Sequence, residues 1–177
     1  MKCPLGYDSL AWPGLLLGLG FFLWLYGTDI LDPATTGWLL HGDPAQHYLG
    51  WEFFRRESWS FPLGLIHGFG EPALTSVVFT DSIPLVAIPL KLLSPWLPRE
   101  FQYLGPWMLV CHVLMGGFAW QLLRRLGLEP AAAGLGTLFF LMSPALLFRA
   151  YGHESLMAHW LILAAIDRTL AGWSGRG

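Results

Sequence analysis

Six ionisable side chains in this sequence have the types and spacing that acid–base chemistry or ligand binding requires. They are Asp43, His47, Asp81, Arg149, His153 and Glu154. A carboxylate that is partly removed from water has a raised pKa and can accept a proton near neutral pH. His47 follows Asp43 by four residues, so a helix would place both on one face, where the imidazole could orient the carboxylate or share a ligand with it. Asp43 is therefore the first candidate for a general base.

Each candidate also has a purely structural interpretation. Asp43 precedes a proline and stands three residues before Gln46, a pattern typical of a helix N-cap, and a capping carboxylate keeps one oxygen free. Asp81 is interpreted in the same way as the cap of a later helix. His47 fits an ordinary position at a membrane interface, and Arg149 fits the end of a membrane span. The residue types alone leave both interpretations open.

The basic and histidine motifs have similar alternatives. The pair Arg55 and Arg56 contacts either lipid headgroups or a substrate phosphate. His153 and Glu154 begin the segment HESLM, in which Met157 stands where the HExxH zinc motif requires its second histidine. The two cysteines match no metal-ligand spacing. We therefore expect no metal cofactor from these motifs.

The composition of the 177-residue chain is typical of a membrane protein. Hydrophobic residues make up 54% of it and charged residues 12%, about half the charged share of soluble domains. Aromatic residues, at 15%, are typical of the belts that lie at the level of lipid headgroups. The formal net charge of −2 gives no basis for binding nucleic acid, which requires dense lysine and arginine.

Four apolar stretches predict transmembrane helices near 9–27, 101–123, 131–148 and 155–171. A fifth apolar segment, 71–97, is interrupted by Asp81, Lys91 and three prolines. If it crossed the membrane, most lysines and arginines near span ends would face outward. If it stays outside, most of them face the cytoplasm, as the positive-inside rule requires. We therefore predict a cytoplasmic N-terminus and a long outer loop, 28–100, on the same side as all six candidates.

The outer loop is predicted to contain two helices that rest on the membrane, near 44–58 and 82–97. In the first, HYLGWEFFRRESW mixes aromatic and charged residues as an interfacial helix does. The second is expected to begin at Asp81 and to kink at Pro89. The fold class is thus all-α, a polytopic membrane helix bundle forming a single module over 1–177. Gly14 and Gly18 have a spacing that permits close helix contact, which we interpret as a coincidence in a glycine-rich stretch.

The order of these features resembles the N-terminal module of the GT-C membrane glycosyltransferases. That class includes oligosaccharyltransferase catalytic subunits, protein O-mannosyltransferases and aminoarabinose transferases. The similar segments are the first span, HGDPAQHYLGW, FTDSIPLVAIPLKLL, the turn RRLGLEP, LMSPALLF and RAYGHESLMAHW. The resemblance covers residues 1 to about 166. At the level of individual residues, the sequence is similar to uncharacterised bacterial multi-pass proteins of the same class.

The resemblance implies sugar transfer from a polyprenyl-phosphate-linked donor on the outer side of a bacterial inner membrane. Asp43 matches the acid that acts as base or orients the acceptor, and Arg149 or the pair Arg55 and Arg56 would bind the donor phosphate. His153 and Glu154 stand where oligosaccharyltransferase subunits carry metal-binding acids. This pair departs from that pattern, and related transferases work without a metal, so the resemblance predicts no metal and leaves a divalent ion as the alternative.

The length of the chain departs from the GT-C pattern, because those enzymes have many more spans. Hydrophobicity falls within the terminal DRTLAGWSGRG. We therefore expect this sequence to be part of a longer protein, inactive alone, with partner helices that complete the bundle. The alternative is a non-catalytic multi-pass membrane protein, such as a transporter fragment or an assembly subunit. A transporter would have ionisable groups near the bilayer midplane, and in either case Asp43, Asp81 and His153 would be scattered.

Overall fold

The computed structural model describes residues 11–70 and 72–174, and these are mostly helical. The helices are α1 (Trp12–Tyr26), α2 (Asp43–Arg56), α3 (Pro84–Leu93), α4 (Leu104–Arg125), α5 (Pro130–Leu141), α6 (Pro144–Arg149) and α7 (Trp160–Ser174). In the described ranges, β structure is limited to the antiparallel pair β1 (Leu65–Ile66) and β2 (Thr75–Ser76). The predicted helical class is confirmed.

Two helical stretches are long and apolar enough to cross a membrane. They are Leu104–Arg125, with 22 residues, and Pro130–Arg149, with 20 residues, which comprises α5 and α6. The predicted first and last spans contain α1 and most of α7, which have 15 residues each. The chain is therefore compatible with membrane association. Residues 9 and 10 of the predicted first span lie outside the described residues, as do Lys2, Cys3 and Arg176.

The chain forms two compact units, and the first contains the described parts of Met1–Thr28, Trp107–Leu147 and Met157–Gly177. Within it, α1 approaches α4 closely. A Cβ on Gly14 would lie 2.3 Å from the carbonyl oxygen of Gly116, and a Cβ on Gly18 would lie 2.3 Å from that of His112. The interpretation of Gly14 and Gly18 as a coincidence is therefore wrong, since only glycine permits this backbone contact.

A buried ion pair joins α4 to α7 in the first unit. The Arg125 Nε donates to Asp167 Oδ1 at 2.5 Å, and its Nη2 donates to Asp167 Oδ2 at 3.1 Å. Gln121 donates a further hydrogen bond to Asp167 Oδ2 at 3.1 Å. Asp167 is fully buried. A carboxylate in such a position is tolerated because these donors replace its lost hydration.

The second unit contains Asp29–Pro106 and Phe148–Leu156. Its core forms where the apolar face of α2 meets the hairpin, and it includes Trp51, Phe54 and Ile66, each almost fully buried. The Trp51 indole N–H donates to the carbonyl of Phe101 at 2.9 Å. The Gln102 side-chain amide donates to the carbonyls of Ile30 and Asp32, at 2.8 and 3.0 Å. These bonds tie the two ends of the long segment 29–106 together.

The starts of α2 and α3 differ from the prediction. Asp43 is the first residue of α2 and not its N-cap, because Gly42 takes the cap position with a φ of 64°. The N–H of Ala45 bonds to the Gly42 carbonyl at 3.2 Å, and the Asp43 side chain makes no capping bond. Likewise α3 begins at Pro84 after Ile83, so Asp81 is not its cap. Both carboxylates are therefore available for other contacts.

Candidate functional site

A buried histidine–carboxylate pair lies at the centre of the second unit. The Nδ1 of His47, on the second turn of α2, lies 2.7 Å from Oε2 of Glu154. The two side chains are 2% and 1% exposed. Because a carboxylate only accepts, Nδ1 donates in this contact, and Nε2 lies on the other side of the ring, towards Asp81. His47 is therefore held in one orientation by Glu154, a partner that the sequence did not predict.

Asp81 is brought to the free side of His47 by a tight turn. Its Oδ2 lies 3.8 Å from His47 Nε2. Asp81 has a φ of 53°, in the left-handed region. On either side of it, the hydroxyls of Thr80 and Ser82 bond to each other at 2.8 Å, and Ser82 Oγ donates to the His47 carbonyl at 2.7 Å. These buried hydroxyls attach the turn to α2 beside His47.

Gly50 allows this turn to approach α2. A Cβ at Gly50 would lie 2.2 Å from Thr80 Oγ1 and 2.5 Å from Ser82 Oγ. Any larger residue at position 50 would push the turn away, and Asp81 with it. The sequence reveals only a glycine inside a helical pattern, which indicates a packing constraint but not its partner.

His153 joins the cluster from the segment that follows α6. Ligand atoms of His47, Asp81 and His153 all lie within 4.8 Å of one another. On its other side, His153 Nε2 lies 3.9 Å from Oδ2 of Asp43. The structure thus brings together five of the predicted site residues: Asp43, His47, Asp81, His153 and Glu154.

The cluster opens into a pocket of about 540 Å³. Asp43 is 69% exposed and His153 is 37% exposed, so both are available to a ligand. The remaining wall is aromatic and glycine-rich, and the lining residues are Trp38, His41, Gly42, Asp43, Pro44, Phe148, Ala150, Tyr151, Gly152, His153 and Glu154. Sequence reasoning missed Trp38, His41 and Tyr151, although WLLHGDP places the first two just before Asp43. Aromatic walls with a few charged groups are typical of small-ligand sites.

The predicted phosphate-binding arginines lie outside this cluster. Arg55 pairs with Glu52 at 3.2 Å, donates to the Pro98 carbonyl at 2.9 Å, and is 6% exposed. Arg56 also pairs with Glu52, and it donates to the Arg99 carbonyl at 3.0 Å. Glu52, which sequence reasoning did not single out, thus engages both guanidinium groups. Arg55 is buried and already paired, so it has little capacity left for a ligand, whereas Arg56 is 55% exposed and lines a different cavity.

Arg149 stands between two pocket-lining residues, Phe148 and Ala150. It is the last residue of α6, and its carbonyl accepts the N–H of His153 at 2.8 Å. This backbone bond closes the turn that carries His153 towards Asp43. Of the three predicted arginines, Arg149 is the one next to the pocket lining in the chain, but it is not itself a lining residue.

A larger cavity of about 810 Å³ lies elsewhere in the second unit. It is lined by Thr36, Leu40, Tyr48, Leu49, Glu52, Phe53, Arg56, Glu57, Arg99 and Glu100. Burial, together with the negative charges of Glu52 and Glu100, raises the pKa of Tyr48. A tyrosine with a raised pKa stays protonated near neutral pH and cannot act as a general base, and Glu52 is already paired with arginine. We therefore favour the smaller pocket as the chemical site.

Two further ionisable groups stabilise the second unit. Burial by itself raises the pKa of Glu57. The backbone N–H groups of His67 and Gly68 donate to its carboxylate oxygens at 2.8 and 2.7 Å, and these bonds have the larger effect, so the pKa is below its ordinary value. Burial lowers the pKa of Lys91, whose ammonium lies 4.0 Å from the ring centre of Phe54. These contacts fix the hairpin and α3 against α2, and thereby the turn that carries Asp81.

Comparison with known proteins gives a family without an assigned activity. A family model described as a domain of unknown function, DUF6311, matches residues 15–176, so the chain belongs to that family. No curated protein and no solved structure matches the chain. The site itself must therefore carry any argument about function.

Proposed function

We propose that this chain is part of a membrane glycosyltransferase of the GT-C type. In this proposal four helical spans form a bundle in a bacterial inner membrane with the N-terminus in the cytoplasm. The loop 28–100 then lies on the outer side, and its helices α2 and α3 rest at the membrane surface. The proposal is supported by two span-length helices and by the positions of α1, α2, α3 and α7, which match the predicted segments. Partner helices complete the bundle.

The observation that carries the proposal is the meeting of Asp43 and His153 in one pocket. These residues are far apart in the sequence, and their side-chain atoms lie 3.9 Å apart. A solvent-accessible carboxylate beside an imidazole is an arrangement suited to accepting a proton. The non-catalytic alternative offers no reason for these groups to converge at an aromatic pocket.

The reaction would use Asp43 as the general base. Its carboxylate accepts the proton of an acceptor hydroxyl, and the hydroxyl oxygen forms a bond to the anomeric carbon of the donor sugar. The bond from that carbon to the donor phosphate oxygen breaks, and the polyprenyl phosphate leaves with the electron pair. Arg149, which stands between the lining residues Phe148 and Ala150, supplies the positive charge that stabilises the leaving phosphate. Trp38 and Tyr151 provide rings on which the sugar packs.

The experiment is a turnover assay with a polyprenyl-phosphate-linked radiolabelled sugar. The chain is reconstituted in liposomes with membrane extract that supplies acceptors and partner subunits. We expect Asp43→Asn to reduce turnover at least 100-fold, because general-base catalysis typically contributes 10²–10⁴-fold. The matched control is Asp29→Asn, which removes an exposed carboxylate of the same unit outside the pocket. Equal turnover by both variants would contradict the proposal.

A further inference from the structure

We propose that His47, Asp81 and His153 bind one divalent transition-metal ion of the Zn²⁺ class. One ligand atom of each residue lies within 4.8 Å of the other two. Three atoms this close surround a point that is at most about 2.8 Å from each, whereas Zn²⁺ bonds to nitrogen and oxygen at about 2.0–2.2 Å. Each side chain therefore needs to move inward by less than about 1 Å to complete the site.

The ligand chemistry selects the kind of ion. Two imidazole nitrogens and one carboxylate oxygen suit Zn²⁺ and neighbouring transition metals, while Mg²⁺ and Ca²⁺ prefer ligand sets made of oxygen. Three protein ligands leave a coordination position for water or a ligand, as in catalytic zinc sites. His153 also lines the pocket that contains Asp43, so the ion would lie at the pocket wall.

The contact between His47 and Glu154 is an independent observation that points to a metal. Histidine ligands typically donate their second ring N–H to a carboxylate, which fixes the tautomer and makes the ligating nitrogen more basic. Glu154 Oε2 accepts in this way from His47 Nδ1 at 2.7 Å, and the pair is almost fully buried. The free Nε2 then faces Asp81 at 3.8 Å. That separation is too long for a hydrogen bond but fits two ligands of one ion.

The metal site goes beyond the proposed sugar transfer. His47 and Asp81 have no part in the base mechanism, and the resemblance to GT-C enzymes assigns neither of them to a metal. Binding of the ion is measured directly, so it can succeed or fail independently of any turnover assay. When bound, the ion would supply a positive charge for an anionic group, such as a phosphate, in the adjoining pocket.

The test is isothermal titration of the full chain in detergent with ZnCl₂ and, separately, with MgCl₂. The protein carries an affinity tag without histidines, and far-UV circular dichroism verifies that each variant is folded. We expect one Zn²⁺ per chain and no Mg²⁺ binding. Asp81→Asn and His153→Gln, both at partly exposed positions, should each weaken Zn²⁺ binding at least tenfold. Glu154→Gln should weaken it about 10–100-fold by releasing His47.

The matched control is His67→Gln. His67 also lies beside a carboxylate, with its Nδ1 3.3 Å from Glu57 Oε2, but it belongs to the hairpin region and not to the cluster. Its substitution should leave Zn²⁺ affinity unchanged. The proposal is overturned if the folded wild-type chain binds no Zn²⁺. It is also overturned if Asp81→Asn and His153→Gln bind as tightly as the wild type, or if His67→Gln is equally impaired.

Discussion

Replacing Gly50 by alanine should displace the turn that carries Asp81. The added Cβ would lie 2.2 Å from Thr80 Oγ1 and 2.5 Å from Ser82 Oγ, and both hydroxyl residues are buried. Thr80 Oγ1 donates to Ser82 Oγ at 2.8 Å, and Ser82 Oγ donates to the His47 carbonyl at 2.7 Å. The turn must therefore move, and at least one of these hydrogen bonds must lengthen or break.

The expected cost of Gly50→Ala follows from three opposing effects. Alanine in place of glycine favours a helix by about 1 kcal/mol. Overpacking of a filled interior costs about 1–3 kcal/mol, and a buried hydroxyl left without a partner costs about 1–3 kcal/mol. The net result is a loss of about 1–5 kcal/mol in the free energy of unfolding. Zn²⁺ affinity should fall as well, because Asp81 lies between the two displaced residues.

The assay for Gly50→Ala is chemical unfolding in detergent micelles, followed by circular dichroism. The control is Gly20→Ala on α1, where an added Cβ meets nothing within 4 Å. That control should be as stable as the wild type or up to about 1 kcal/mol more stable. The reasoning would be refuted if Gly50→Ala matched the control in stability and kept the Zn²⁺ affinity of the wild type.

Three further substitutions test other contacts. Glu57→Gln should remove part of the acid sensitivity of unfolding. The lowered pKa of Glu57 in the folded protein gives stability that is present above about pH 4.3 and is lost as the pH falls through the folded-state pKa. The unfolding curves of the variant and the wild type should therefore converge in acid. Asp167→Asn should cost about 3–5 kcal/mol in unfolding experiments, because it removes the negative charge that the buried Arg125 guanidinium contacts at 2.5 Å. Gly18→Ala should cost about 1–3 kcal/mol in the same measurement, since its Cβ would meet backbone atoms that no rotamer change can move.

The helices could be predicted from the sequence because their signals are local. Apolar run length locates α4 and α5, and proline at the first or second helical position marks the starts of α1, α2, α3 and α5. The exact caps were not predictable in this way. Gly42 and Ile83 adopt positive φ and take the positions that Asp43 and Asp81 were expected to fill. For Ile83 no sequence rule indicates such a conformation, since a β-branched residue rarely adopts it.

The residues that form the candidate site could be predicted in part from the sequence. The positions of the apolar stretches and of the basic residues between them are enough to group Asp43, Asp81 and His153 on one side of a membrane. The pairing of His47 with Glu154 was not predictable, because the two residues are separated by 107 positions and each has several chemically suitable partners. The ion pair between Arg55 and Glu52 could have been predicted, because the two residues are three positions apart on a helix. That spacing favours an ion pair over a contact with phosphate.

The central claim is that the pocket beside Asp43 and His153 receives the phosphate-linked sugar. The most direct measurement is photo-crosslinking with a polyprenyl-phosphate-linked sugar that carries a photoreactive group on the sugar, followed by peptide mapping. The account predicts labelling of peptides from 38–44 and 148–154, reduced by excess unlabelled donor. Labelling at 52–57 and 99–100, around the larger cavity, or labelling that excess donor does not reduce, would contradict it.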